Sequence, residues 1–318
     1  MLLRMWALAL GFALDLAVGD PEWFPHPVRL IGKYISWMEG LLRRRAKRLR
    51  IAAVWLTAST VLITMGATAL VLWALSLMGE VPLVMGMAIV SWLCLSARNL
   101  ADEATGVEVA LKKGVAQGRV RVARIVGRDT DRLTAEEIIK ACVETVAENL
   151  NDGVIAPIVY LALGGPIVGM GFKAASTLDS MVGYMDEKYR DIGWASARLD
   201  DVLGYVPARV CAALMCAVAP LVGLDGGAAV RMVARDHGNH LSPNCAWSEA
   251  AAAGALGIQL GGAHAYFGKL VEKETIGDAT RAAEGADIAR VNRLLYATAG
   301  IAAALACLAL YALAALTR

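Results

Sequence analysis

Long uncharged runs alternate with compact charged stretches along this chain, and each run is measured against the about 20 apolar residues an α-helix needs to cross roughly 30 Å of hydrocarbon. Residues 5–18 make a first apolar helix. GDPEWFPHPVRLIG (19–32) follows. There Pro21, Pro25 and Pro27 withhold backbone donors, so the stretch is expected as an ordered loop at the membrane face, with Trp23 and Phe24 at the interface, and not as a helix. RRRAKRLR (43–50) stands directly before the uncharged run 51–79, and Glu80 and Pro82 turn the chain into a second run, 81–97. The two runs read as a helical hairpin. Its basic cluster points to the cytoplasm under the positive-inside rule.

From 98 to 131 the chain is polar and predicts an amphipathic helix plus turn. Thr134 and Glu137 have capping-box spacing, which starts a helix near 135 that should run to about 150 and stop near Gly153. Residues 154–172 are uncharged and about long enough to span, yet Gly164-Gly165-Pro166 sits in their middle. Proline removes a helical hydrogen bond and clashes with the preceding turn, so two half-helices or a re-entrant hairpin compete with a straight span. An uncharged run, 210–224, follows Pro207. RDHGNHLSPNCAWSE (235–249) reads as a loop, and the Ala/Gly-rich segment 250–263 suits close helix packing better than contact with lipid. An amphipathic charged region, 269–293, precedes a final span, 294–317. No 20–50-residue repeat is visible. The expectation is one all-α integral membrane domain over 1–318, a multi-span bundle of about four to six spans with a Gly/Pro-broken or re-entrant segment and cytoplasmic amphipathic helices.

Composition agrees. The 318 residues are 58% hydrophobic and 19% charged, and the mean hydropathy of +0.53 is too high for an ordinary soluble domain. A net charge of +2 with clustered bases gives no nucleic-acid surface. The six cysteines form no C-x-x-C pair and read as small core residues rather than disulfides or zinc ligands. Arg4 precedes an apolar stretch like a signal peptide's, but Asp15, Asp20 and His26 follow without a small-residue cleavage site, so it is expected as an uncleaved helix.

Candidate chemistry gathers between 144 and 209. Glu144, Glu148 and Asp152 are spaced by four and share a helix face. Like charges so placed need a cation, basic neighbours or protonation, and the row is either a Mg²⁺ site completed by substrate phosphates or a solvated acidic face. Gly165, Gly169, Gly171, Lys173, Ser176 and Thr177 invite comparison with a phosphate loop, but no Ser or Thr directly follows the lysine. What remains is a lysine and hydroxyls at a helix N-terminus, where anions bind, with Asp179 as metal ligand or cap. Arg198, Asp200, Asp201 and Arg209 are either structural ion pairs or a second phosphate- and metal-binding cluster. His26 and Arg29, then Asp236, His237, His240 and Glu249, add acid–base or carboxylate-binding groups. His237 and His240 lack a defined third zinc ligand.

Six blocks carry a family resemblance: GDPEWFPHPVRLIG, GRDT (127–130), VETVAENLNDGVIAP (143–157), KAASTLDSMVGY (173–184), SARLDDVLGYVPAR (196–209) and DHGNHLSPNCAWSEAAAAGALGIQLGG (236–262). In this order, over nearly the whole chain, they resemble the adenosylcobinamide-phosphate synthase family of cobalamin biosynthesis, known as CbiB or CobD. Cys245 departs from a block that more often reads SPNAGWSE. The resemblance implies a multi-pass enzyme of the inner membrane with its active site facing the cytoplasm. It implies amide formation between a propionate carboxylate of adenosylcobyric acid and (R)-1-amino-2-propanol or its O-phosphate, driven by ATP with Mg²⁺, the corrinoid being substrate. The lipid bilayer and other membrane enzymes of cobalamin assembly are the expected partners.

The chemistry of such a ligase assigns the roles. His26, Lys173, Asp236 and His237 are candidate catalytic groups; Arg29, Ser176, Thr177, Arg198, Arg209 and Asn244 bind substrate or phosphate; Glu144, Glu148, Asp152, Asp179, Asp200 and Asp201 hold metal. Trp23, Trp194 and Trp247 are either interfacial anchors or apolar contacts for the corrin ring. A broken-helix transporter and a non-catalytic scaffold are the alternatives, although no inverted repeat is visible.

Overall fold

The computed structural model describes residues 1–21, 26–184, 186–266 and 269–317. In chain order the helices are α1 Leu2–Val18, α2 Pro27–Arg45, α3 Leu49–Ser76, α4 Glu80–Cys94, α5 Ala97–Lys113, α6 Val115–Val122, α7 Ala135–Leu150, α8 Ala156–Val182, α9 Trp194–Val218, α10 Gly226–Asp236, α11 Cys245–Leu256 and α12 Ala286–Leu316. Strands β1 Leu260–Gly261, β2 His264–Tyr266, β3 Lys269–Val271 and β4 Thr275–Ile276 lie between α11 and α12. Among the described residues five helical runs are long and apolar enough to cross a membrane: Leu49–Ser76, Glu80–Lys113, Ala135–Val182, Trp194–Val222 and Ala286–Leu316. Only 11% of the most apolar window of α3 is buried inside the protein, which leaves its flanks for lipid. The chain is therefore an all-α, multi-span membrane protein.

It divides into two compact units, each assembled from separated stretches: Met1–Ser96 with Ala156–Gly204 and Ala303–Arg318, and Ala97–Ile155 with Tyr205–Ala302. In the first, α1 packs on α4, and α2, α3 and α4 pack on α8. Ala7, Leu72 and Met87 form a buried cluster closed by Leu3, Leu75, Leu83 and Ile167. The expected α3–α4 hairpin is present. The proline-rich stretch departs from expectation at Pro27, where α2 begins: proline suits the first helical turn, and the His26 ring accepts the Val28 N–H at 3.2 Å as N-cap. Trp23 and Phe24 fall outside the described residues.

The Gly164-Gly165-Pro166 break is a reversal. Gly165 takes φ 71° and ψ −167°, a conformation open only to glycine. Gly169 then meets Leu161 so closely that a Cβ built on it would lie 2.6 Å from the leucine side chain. Residues eight apart in a straight helix would be about 12 Å apart. α8 is thus a helical hairpin, 156–164 folded against 166–182.

In the second unit α7 packs on α5, α6 and α11. α7 covers Ala135–Leu150 as expected, but the chain does not leave the helix near Gly153, which is not among the positive-φ glycines. Instead Asn151–Ile155 make one π-helical turn and the chain runs on into α8. α11 is buried along nearly its whole length by small residues, as the Ala/Gly-rich composition predicts. The 235–249 stretch is a loop only between His237 and Asn244, because α10 extends to Asp236 and α11 starts at Cys245. The charged region 269–293 is corrected too: β1 pairs antiparallel with β4 and β2 with β3, and helix resumes only at Ala286.

Candidate functional site

The second unit builds a cavity of about 130 Å³ from five separate stretches. Thr134 starts α7 by accepting the Glu137 N–H at 3.3 Å, while the Glu137 carboxylate takes the Thr134 N–H at 2.7 Å, the expected capping box. Two turns on, Glu144 and Glu148 face the cavity from α7. α11 contributes Glu249, the loop before it His240, the segment after α6 Arg128, and the β1–β4 region Gly261 and Lys273.

The two acids of α7 are held differently. Glu144 is ion-paired to Arg128, whose side chain is 7% exposed, and it also accepts the Gly261 N–H at 2.7 Å. Gly261 has φ 70°, and a Cβ there would lie 2.6 Å from the Glu274 carbonyl, so this donor is available only from glycine. Glu148 accepts the Cys245 thiol at 3.2 Å. That thiol is pushed well above its usual range by burial and then by the charges of Glu148 and Asp152, which makes it a poor nucleophile.

Glu249 is 6% exposed. Burial, then the charges of Glu148 and Glu144, raise its carboxyl well above the usual range, so it keeps its proton where ordinary carboxylates have lost theirs. His240 is shifted the other way, by burial and then the Lys273 ammonium, and stays neutral. Its Nδ1 accepts the Ser242 N–H at 3.0 Å, which leaves the ring proton on Nε2. The protonated Glu249, the neutral His240 N–H, Arg128 and Lys273 therefore share one small cavity with Glu144 and Glu148.

In the same unit Arg209 is stacked between Tyr205, 3.4 Å from the ring centroid, and Trp247, 4.5 Å away, and it donates to the Asn244 side-chain oxygen at 3.3 Å. The His237 ring lies 4.4 Å from Trp247 and contacts the Val233 carbonyl through Nδ1 at 2.9 Å. Asp236 accepts from Arg235 and from the Gly277 N–H at 2.7 Å, and Arg235 holds it below the usual carboxylate range. It anchors β4 and is not among the cavity-lining groups.

The other predicted residues belong to the first unit. Lys173, Arg29 and Asp20 surround His26, which burial, the largest influence, pushes below the usual imidazole range. Lys173, Ser176, Thr177 and Asp179 sit on the second arm of α8, two turns or more past its start at Pro166, so they do not stand at the N-terminus of their own helix. Thr177 donates its hydroxyl to the Lys173 carbonyl at 2.7 Å. Arg198 pairs with Asp201 at 3.8 Å on the surface of α9, where Asp200 and Trp194 also lie. Among the described residues no three His, Cys, Asp or Glu side chains are arranged to hold a metal ion.

Sequence reasoning missed Arg128, Gly261 and Lys273. Arg128 lay in the GRDT block and Gly261 in the late glycine block, but neither carried a spacing that tied it to Glu144.

Fold and site together define a multi-span helical membrane protein with a charge-lined polar cavity. The chain belongs to the CobD/CbiB family: the family model described as CobD/Cbib protein matches residues 8–295. It is 51% identical over 292 residues to the cobalamin biosynthesis protein CobD of Pelobacter propionicus, covering 92% of this chain and 90% of that one. It is 45% identical over 315 residues to the cobalamin biosynthesis protein CbiB of Salmonella typhimurium, covering 96% of each, and 46% identical to the CobD protein of Geobacter metallireducens over 89% of each. No solved structure matches the chain.

Proposed function

We propose that this protein acts in cobalamin biosynthesis as an ATP-dependent amide ligase of the inner membrane, working at the cytoplasmic face. It joins the propionate carboxylate of adenosylcobyric acid to (R)-1-amino-2-propanol or its O-phosphate, giving adenosylcobinamide or its phosphate. Family membership supports the pathway, and the cavity of the second unit supports the reaction class. The observation that carries the reading is the cavity's mixed charge: Arg128 and Lys273 beside Glu148, with neutral donors at Glu249 and His240.

A carboxylate is a poor acyl donor, so ATP first converts it to an acyl phosphate or acyl adenylate, which the amine then attacks. Lys273 offsets phosphate charge. The protonated Glu249 and the His240 Nε2–H donate hydrogen bonds to the oxygen that gains negative charge as the amide forms, in a buried setting where such donors act strongly. Arg128 and Gly261 fix Glu144, and with it the wall of the cavity.

Mg²⁺ binds through one or two carboxylates plus substrate phosphates, and it does not need a cage of protein ligands. The donor set fits that mode: Glu148 and Asp152, a turn apart and both bearing on the Cys245 thiol, would hold it. When bound it neutralises triphosphate charge.

Purified protein given adenosylcobyric acid, aminopropanol O-phosphate, ATP and Mg²⁺ should form the amide with one ATP consumed per product. ATP-independent behaviour, or no amide at all, would reject the ligase and favour a transporter or scaffold.

A further inference from the structure

The α2–α3 pair of the first unit carries a groove and a charged collar that the ligase reading leaves unused. The groove, about 220 Å³, runs between α2, α3 and α8, with Leu30, Tyr34, Ile63 and Met170 on its walls. Leu30 is 68% and Ile63 54% exposed, so it opens sideways, beside the apolar α3 that meets lipid. Thr60, Thr64 and Thr68 on the α3 wall donate their hydroxyls to backbone carbonyls one turn back, at 2.7, 2.8 and 2.9 Å, and leave the groove apolar. The Tyr34 hydroxyl is buried there and meets no hydrogen-bond partner among the described residues.

At the end of this helix pair stands the collar. Arg44, Arg45, Lys47 and Arg48 are exposed around the turn from α2 to α3. Lys188 and Arg190 are exposed beside them, since Arg43 donates to the Lys188 carbonyl at 2.6 Å and Arg50 pairs with Asp191 at 3.1 Å. Bases outnumber the local acids, Glu39, Asp186, Glu187 and Asp191. Tyr34 and Arg45 lie on one stripe of α2, three turns or about 16 Å apart along the axis. Trp37, 61% exposed, stands between them, as suits the boundary of headgroups and hydrocarbon.

The geometry points to a bound anionic phospholipid, its headgroup phosphate at the Arg44–Arg48 collar and one acyl chain in the groove below. Charge favours an anionic headgroup over a zwitterionic one. The apolar groove favours a lipid over a free phosphate.

Native mass spectrometry of the full chain in detergent tests this with phosphatidylglycerol, phosphatidylcholine and glycerol 3-phosphate. Phosphatidylglycerol should be retained about tenfold over phosphatidylcholine and should not be displaced by an equimolar amount of glycerol 3-phosphate. Triple replacement of Arg44, Arg45 and Arg48 by Ala should abolish the preference. Ile63→Trp, which fills the groove and leaves the collar intact, should reduce retention of both lipids. Equal retention of the two lipids by the wild type, displacement by glycerol 3-phosphate, or unchanged retention by Ile63→Trp would each overturn the proposal.

Discussion

The rings of Tyr160 and Phe172 stack with centroids 4.9 Å apart and planes inclined by 15°. In a straight helix, positions twelve apart are separated by about 18 Å, so the pair records the reversal at Gly165. Gly165→Ala places a side chain in a backbone region reserved for glycine and should destabilise the protein by about 1–3 kcal/mol, seen as a lower thermal midpoint in detergent. Gly300→Ala is the control: it lies within α12 with open space at its Cβ position, and it should be neutral or slightly stabilising. Equal midpoints for the two variants would contradict the hairpin.

The same unit predicts a topology. Because Arg43 donates to the Lys188 carbonyl, the segment after α8 shares the face of the 43–50 basic cluster. Lys188→Cys should react with an impermeant maleimide in inverted vesicles and not in intact cells. Labelling from outside would contradict both the fold of α8 and the positive-inside assignment.

Arg128 and Glu144 form a buried pair, with side chains 7% and 12% exposed. Arg128→Ala strands the carboxylate and should lower stability by about 3–5 kcal/mol, while Arg128→Ala combined with Glu144→Gln should recover much of it. Denaturation of the wild type, Arg128→Ala, Glu144→Gln and the double variant side by side gives the comparison, and additive losses would refute the coupling.

Glu249 predicts a pH dependence with a definite sign. Its carboxyl is raised in the fold, by burial first and then by Glu148 and Glu144, whereas an unfolded glutamate ionises near pH 4.3. The unfolded chain therefore releases this proton first as pH rises. Stability from Glu249 is full below that value and is lost as pH climbs through the raised one. The thermal midpoint of the wild type, measured from about pH 5 to about pH 8, should fall relative to that of Glu249→Gln, which has no proton to lose. Parallel profiles would show that Glu249 is not held protonated.

Much of this fold is readable because membrane spans announce themselves by length and apolar content, and because Gly-Pro punctuation has few meanings. The α3–α4 hairpin, the Thr134 cap and the Gly165 break all follow from such local signals. α2 was hidden by prolines that read as loop, one of which suits a helix start. The β1–β4 strands, two or three residues each, are too short for any period to appear. At the site, Glu144 and Glu148 stood out through their spacing of four. Arg128, Gly261 and Lys273 did not, since they reach the cavity through tertiary packing from 16 to 129 residues away in sequence. The first-unit residues Lys173, Ser176 and Thr177 were expected at the start of their own helix, and the reversal at Gly165 places that start at Pro166 instead.

If amide formation takes place in the cavity between α7, α11 and β1–β4, as proposed, turnover depends on Glu148. Glu148→Gln keeps the side chain's shape and its contact with Cys245. The measurement is ATP-dependent formation of adenosylcobinamide phosphate by purified wild type and Glu148→Gln, each with its thermal midpoint recorded. Turnover should fall roughly 100-fold or more in a variant as stable as the wild type. Wild-type turnover by a folded Glu148→Gln protein would place the chemistry elsewhere.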